Sequence, residues 1–129
     1  ENVCYRDVSE RHHEDGENHR SFALPAGCDR EMMLAVMRQA LPLIAAHRPD
    51  VILYQAGADP YYEDPFSPLA LNHEDLWARD EAVFRFAREL GVPIAWVLAG
   101  GYTRDVNKVV RVHLNTFEAW RRVFGGTES

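Results

Sequence analysis

The chain has 129 residues, the length of one domain and too short for two. Apolar content of 47% and charged content of 26% are those of an ordinary globular protein. Net charge of −6 excludes a general binder of nucleic acid or of acidic membrane, because such surfaces carry a basic excess. No apolar run reaches the roughly 20 residues that span a bilayer, and no signal-peptide pattern opens the chain. Two cysteines, Cys4 and Cys28, predict a reducing, cytoplasmic setting, with a single bridge between them as the alternative. The first residue is Glu1, so a chain trimmed or excised from something longer is expected.

Residues 1–22 are polar and lack an apolar period, which predicts a loop or arm. A helix follows, with Asp29 as its N-cap and Met33, Val36, Met37, Ala40, Leu41 and Ile44 on one face. Pro42 lies within that pattern and should kink the helix or restart its last part. Val51 to Gln55 is a short β-branched, apolar run bounded by turn residues, read as a strand buried on both faces. A Pro- and Gly-punctuated loop occupies 56–71. Asn72 then caps a second helix, with Asp75 in a capping-box position and Leu76, Val83, Ala87 and Leu90 facing inward. Gly91 and Pro93 end it. Ile94 to Leu98 is a second buried strand. Asp105 caps a third helix with an apolar stripe of Val106, Val109, Val110, His113, Phe117, Trp120 and Phe124, closed by Gly125.

The strand–helix–strand unit predicts two parallel strands joined by a right-handed crossover. Two apolar strands leave two unpaired edges and make a poor sheet alone. More strands are therefore expected, from further chain or from a partner. The division expected is a polar arm over 1–22, a domain portion over 23–125 and a tail over 126–129. No internal repeat or low-complexity segment is present.

Each strand ends in small residues followed by one polar side chain: Asp59 after Gln55-Ala-Gly-Ala, Tyr102 after Ala99-Gly-Gly. Parallel α/β sheets place functional groups at the carboxyl ends of their strands. Asp59 has the chemistry of a metal ligand and Tyr102 that of an oxyanion donor. The plain alternatives are a turn residue before Pro60 and a loop aromatic packed on the sheet end.

Arg48-Pro-Asp-Val-Ile-Leu-Tyr-Gln-Ala-Gly-Ala-Asp-Pro60, Asp64-Pro65, Arg79-Asp80, Gly91-Val-Pro-Ile, Gly100-Gly-Tyr102 and Val110-Arg-Val-His-Leu-Asn-Thr-Phe117 together resemble the carboxy-terminal half of the histone deacetylase superfamily. That group includes acetoin-utilisation-type proteins and acetylpolyamine amidohydrolases, and the last segment is most like its small bacterial, class IV-like branch. The resemblance runs in order from about Leu24 to Phe124. It implies part of a three-layer α/β/α sandwich of the arginase-deacetylase type, with parallel strands near 51–55 and 94–98. It implies that Asp59 is one of three zinc ligands, that Tyr102 stabilises the oxyanion, and that Phe66 lies at the mouth of the acyl channel. Gly100 and Gly101 would let the backbone pass close to the substrate. The family's Asp-x-His zinc motif and its paired histidines lie upstream of the matching region. The chain is thus expected to carry one zinc ligand and one oxyanion donor, and to be inactive alone, with zinc bound in the complete enzyme.

Other polar residues have simpler readings. His12, His13, Asp15 and His19 form a His-rich stretch, read as a solvated arm rather than a metal site. His113 is read as a hydrogen-bonded core histidine and Asp80 as a buried ion-pair or capping residue. Cys28 has no neighbouring base and is not read as a nucleophile. The function expected is a fragment of a zinc-dependent deacetylase that removes acetyl or short acyl groups from lysine or amines. The alternatives are a non-catalytic module that self-associates, as a dimer, to complete its sheet, and one half of a split enzyme whose amino-terminal half is a second chain. Neither nucleic acid nor membrane is an expected partner.

Overall fold

The computed structural model describes residues 19–126. The sequence order of elements is α1 (Arg30–Ala46), β1 (Ile52–Gly57), α2 (His73–Leu90), β2 (Ile94–Ala99) and α3 (Val106–Phe124). Cys4, His12, His13, Asp15 and most of the expected arm lie outside the described residues.

The helix starts are set by side chains that accept the free N–H groups of the first turn. Asp29 accepts from the Met32 N–H at 3.0 Å and Asp105 from the Asn107 N–H at 3.0 Å. Asn72 accepts from Glu74 and Asp75, while Asp75 accepts from the Asn72 N–H at 2.9 Å, completing a capping box. Gly91 closes α2 with a left-handed backbone, φ 72°, that a side chain would disfavour. Pro42 does not restart α1, which runs unbroken to Ala46. It sits in the penultimate turn, where the missing N–H removes one bond near an end that is already half satisfied.

β1 and β2 pair in parallel, in the register Ile52↔Ile94 through Gly57↔Ala99. Their two faces differ, which corrects the expectation of strands buried on both sides. Tyr54, Ile94 and Trp96 pack against Phe84 of α2 and Ala119 and Val123 of α3. Leu53 and Val97, on the other face, are 81% and 60% exposed. Among the described residues only one helical layer covers the sheet. A second core joins α1 to α2 and to the loop after β1, through Met33, Met37, Cys28, Leu69, Leu71 and Leu76.

The buried face of α3 also departs from expectation. Val112, Thr116, Ala119 and Val123 are buried, while Val106, Val110, Phe117, Trp120 and Phe124 of the expected stripe are exposed. The helix is apolar on two sides. α2 covers the side with small residues, which admits close helix packing, while on the bulky side Phe117 and Trp120 pack against Trp96 of β2 and stay partly exposed. In α2 Leu76, Phe84 and Ala87 are fully buried, while Val83, packed against the α1 core, and Leu90 are half-buried. No helix among the described residues is long and apolar enough to cross a membrane.

Candidate functional site

The paired strands end together, so the segments that follow them emerge side by side. The Ala58 N–H donates to Ala99 O at 2.9 Å, carrying the pairing one residue beyond β1. Asp59 follows directly, and across from it run Gly100 and Gly101 with φ of 56° and 99°. A Cβ on Gly100 would lie 2.1 Å from Asp59 Oδ1, and one on Gly57 would lie 2.6 Å from the same oxygen. The Asp59 carboxylate therefore rests in a backbone cradle that only glycine leaves open. A Cβ on Gly101 would meet Val109 Cγ1 at 2.6 Å. Both glycines of the Gly-Gly-Tyr motif are thus demanded by the chain's own packing and backbone.

Tyr102 and Phe66 meet at the outer edge of this cradle. Their rings pack edge to face, with centroids 5.3 Å apart, and both are largely exposed, 59% and 69%. Beneath them Asp64 is 3% exposed and bonds to the backbone of both: Oδ2 accepts from the Tyr102 N–H at 2.7 Å and Oδ1 from the Phe66 N–H at 3.0 Å.

Below the strand ends lies a buried polar network. Arg79 donates from Nη1 to Gly57 O at 2.7 Å, fixing the last residue of β1. Its Nε donates to Asp80 Oδ1 at 2.8 Å. Its Nη2 is also 2.8 Å from that oxygen, without the alignment of a hydrogen bond, so this contact is electrostatic. Tyr54 OH donates to Asp80 Oδ1 at 2.5 Å and Thr116 Oγ1 donates to Oδ2 at 2.6 Å. Burial pushes the Tyr54 phenol well above its usual range; the Arg79 charge opposes this and Asp80 reinforces it. Tyr54 therefore stays a donor at neutral pH. Asp80 is the buried ion-pair residue expected of it.

His113 departs from expectation. Its Nδ1 is buried without a hydrogen-bond partner, so it is not a hydrogen-bonded core histidine at that atom. Burial first, then the Arg79 charge, lowers its pKa below 6.5, against an opposing pull from Asp80. A depressed histidine pKa means that the unfolded chain takes up the proton first as pH falls. The contribution of neutral His113 to stability is full above the unfolded value, near 6.5, and is lost as pH falls toward the lower folded value. An imidazole NMR titration should give a midpoint below 6.5, and His113→Gln should flatten the dependence of melting temperature on pH over that window. A midpoint at or above 6.5 contradicts this.

Cys28 is a buried free thiol whose pKa burial and the Asp29 charge both raise, so it lacks thiolate character. Of the His-rich stretch, only His19 lies among the described residues, with Nε2 2.9 Å from Ser21 Oγ. Among the described residues no three His, Cys, Asp or Glu side chains converge to hold a metal ion. The carboxylate of Asp59 has the chemistry of a metal donor, but one carboxylate falls short of the three protein ligands of a catalytic zinc site.

Residues 5–117 match the histone deacetylase domain. The chain belongs to that family. The match begins within the stretch read as a polar arm. Histone deacetylase 2 of Arabidopsis thaliana is 31% identical over 86 residues, 66% of this chain and 22% of that protein. Acetylpolyamine amidohydrolase 1 of Pseudomonas aeruginosa is 32% identical over 88 residues, 68% of this chain and 24% of that protein. The crystal structure of an acetylpolyamine aminohydrolase from Burkholderia pseudomallei superposes with a TM-score of 0.69 at 19% identity, over 80% of this chain and 28% of that one. That likeness establishes the arginase-deacetylase fold, of which this deacetylase-family chain forms part. The chain spans 22% to 35% of the length of the curated relatives it matches.

Sequence reasoning singled out Asp59, Phe66, Gly100, Gly101 and Tyr102, and the fold brings them to one end of the sheet. It quoted Asp64 and Arg79 only as matching letters. An Asp before Pro is a turn signal, and the Asp64–Phe66 bond is such a local turn. The Asp64–Tyr102 and Arg79–Gly57 bonds had no local signal.

Proposed function

We propose that this chain is the carboxy-terminal portion of a zinc-dependent deacetylase that removes acetyl or short acyl groups from lysine or amines. The observation that carries the reading is that the loops leaving two paired strands bring to one end of the sheet a carboxylate cradled on glycine backbone and a tyrosine whose ring packs on an exposed phenylalanine. In the complete domain Asp59 serves as one zinc ligand, with the others supplied from outside the described residues. The metal, when bound, polarises the acyl carbonyl and acidifies water. Tyr102 donates to the carbonyl oxygen as negative charge develops there. The Phe66 ring lines the approach of an acyl chain, and Gly100 and Gly101 keep the floor free of side chains. The names of the relatives, a histone deacetylase and an acetylpolyamine amidohydrolase, support an acylated lysine or amine as the substrate class. A reducing, cytoplasmic setting belongs to this reading and is supported by the free thiol of Cys28.

The open sheet face and the exposed apolar side of α3 favour a second reading for the chain by itself. It pairs with a copy of itself, as a dimer, or with a separate amino-terminal half, to cover Leu53, Val97, Phe117 and Trp120. Light scattering at high concentration distinguishes these: a dimer supports the module, a monomer the missing half.

Calorimetric zinc titration of the purified chain, beside Asp59→Ala and a variant lacking residues 1–22, tests the metal role. The expected result is weak binding that Asp59→Ala removes, because a single carboxylate holds zinc poorly. Binding that survives Asp59→Ala and disappears with residues 1–22 counts against Asp59 as the metal donor.

A further inference from the structure

We propose that Asp64 is a positioning residue of the candidate site, whose carboxylate locks the backbone of Tyr102 to that of Phe66 across two loops. The proposal rests on the reading of Tyr102 and Phe66 as site residues and deepens it by naming what fixes one ring against the other.

The two loops differ in how firmly they are built. The loop after β1 is held at many points. Asp64 N–H donates to Tyr61 O at 2.9 Å, and Ser67 N–H donates to Asp64 O at 3.0 Å. Ser67 Oγ donates to Pro60 O at 3.2 Å. Glu63 pairs with Lys108 of α3. Tyr61, 4% exposed, stacks on His73 at the start of α2 with centroids 4.5 Å apart. Among the described residues the loop after β2 makes no comparable set of bonds. It leaves the sheet through Gly100 and Gly101, both with positive φ, the residues that lose most conformational freedom on ordering. Tyr102 follows at once, with an exposed side chain.

The bond from Tyr102 N–H to Asp64 Oδ2 anchors the loose loop to the firm one. At 2.7 Å it is the shorter of the two bonds the carboxylate accepts, the geometry of a charge-assisted contact. Asp64 is 3% exposed, and among the described residues no Lys, Arg or His side chain pairs with it. Its carboxylate is satisfied by backbone N–H groups, one local and one distant, and leaving either unmade would strand a buried acceptor. Its placement thus decides where the Tyr102 ring stands, and the edge-to-face contact with Phe66 follows from it.

The test uses the 129-residue chain, isotope-labelled, with amide hydrogen exchange and ring–ring nuclear Overhauser effects as readouts. Asp64→Asn keeps the shape and one acceptor oxygen. That oxygen retains the local turn to Phe66, and the new amide group meets the Tyr102 N–H donor to donor. The expected result is exchange of the Tyr102 amide faster by about tenfold or more, the scale of one charge-assisted hydrogen bond. The Phe66–Tyr102 ring contact is lost, while the Phe66 amide and the amides of α2 keep their protection. An unchanged Tyr102 amide overturns the proposal. So does a loss of protection shared equally by α2, which is the mark of a purely structural role. Should Asp64→Asn fail to fold, the wild-type chain decides: a Tyr102 amide as protected as those of α2 supports the anchor, and one exchanging at the unprotected rate overturns it. No metal or substrate enters this measurement, so its failure and a failure of the zinc titration are separate results.

Discussion

Asp80→Ala should destabilise the chain by about 3–5 kcal/mol, the cost of leaving a buried charge without its partner. Asp80 is fully buried and receives Arg79, Tyr54 and Thr116. Removing it leaves the Arg79 guanidinium, on a side chain only 13% exposed, facing an unsatisfied phenol. Domains of this kind are stable by only about 5–15 kcal/mol, so the variant should be mostly unfolded or melt far below the parent. The effect should reach the candidate site first. Arg79 holds Gly57 O, and Gly57 is two residues before Asp59. Amides of 57–59 should lose protection before those of α1, which lies outside the network. Asp80→Asn, which keeps the shape and part of the acceptor capacity, should lie between. Denaturant melts of the three proteins check the order. An Asp80→Ala variant within about 1 kcal/mol of the parent, the centre of the range for point mutations in general, contradicts the assignment.

Catalysis should be absent from the chain alone and strongly dependent on Tyr102 wherever the domain is complete. One carboxylate and one hydroxyl do not bind zinc and activate water together. With excess zinc and an acetyl-lysine peptide, the pure chain should show no zinc-dependent hydrolysis above background. Robust turnover would sink the reading that most of the catalytic site lies elsewhere. In a protein that holds this chain within a whole deacetylase domain, Tyr102→Phe should lower kcat by about 10²–10³, the usual loss on deleting one oxyanion donor, with little change in KM. A rise in KM at constant kcat would instead make Tyr102 a binding residue only.

The order of elements was legible in the sequence because each is signalled locally. Asp29, Asn72 with Asp75, and Asp105 announce the helix starts, and Gly91 announces an end. The runs at Ile52–Gly57 and Ile94–Ala99 are too short and too β-branched for helices, and their common direction follows from the intervening helix. The placement of Asp59 and Tyr102 at one end of the sheet was legible for the same reason: each follows closely on a strand, and parallel strands bring their carboxyl ends together.

The tertiary structure alone decided which faces are covered and what fixes the site. Both strands and α3 are apolar on two sides, so periodicity predicts burial without saying which neighbour supplies it. Among the described residues α2 takes the side of Val112, Thr116 and Ala119, while Leu53 and Val97 stay exposed and Phe117 and Trp120 are covered only in part. The anchoring bonds were equally hidden. Asp64 reaches Tyr102 across 38 positions and Arg79 reaches Gly57 across 22, in directions set by the parallel register of the strands. A local pattern carries no record of such contacts, because the distance between two side chains after folding depends on every element packed between them.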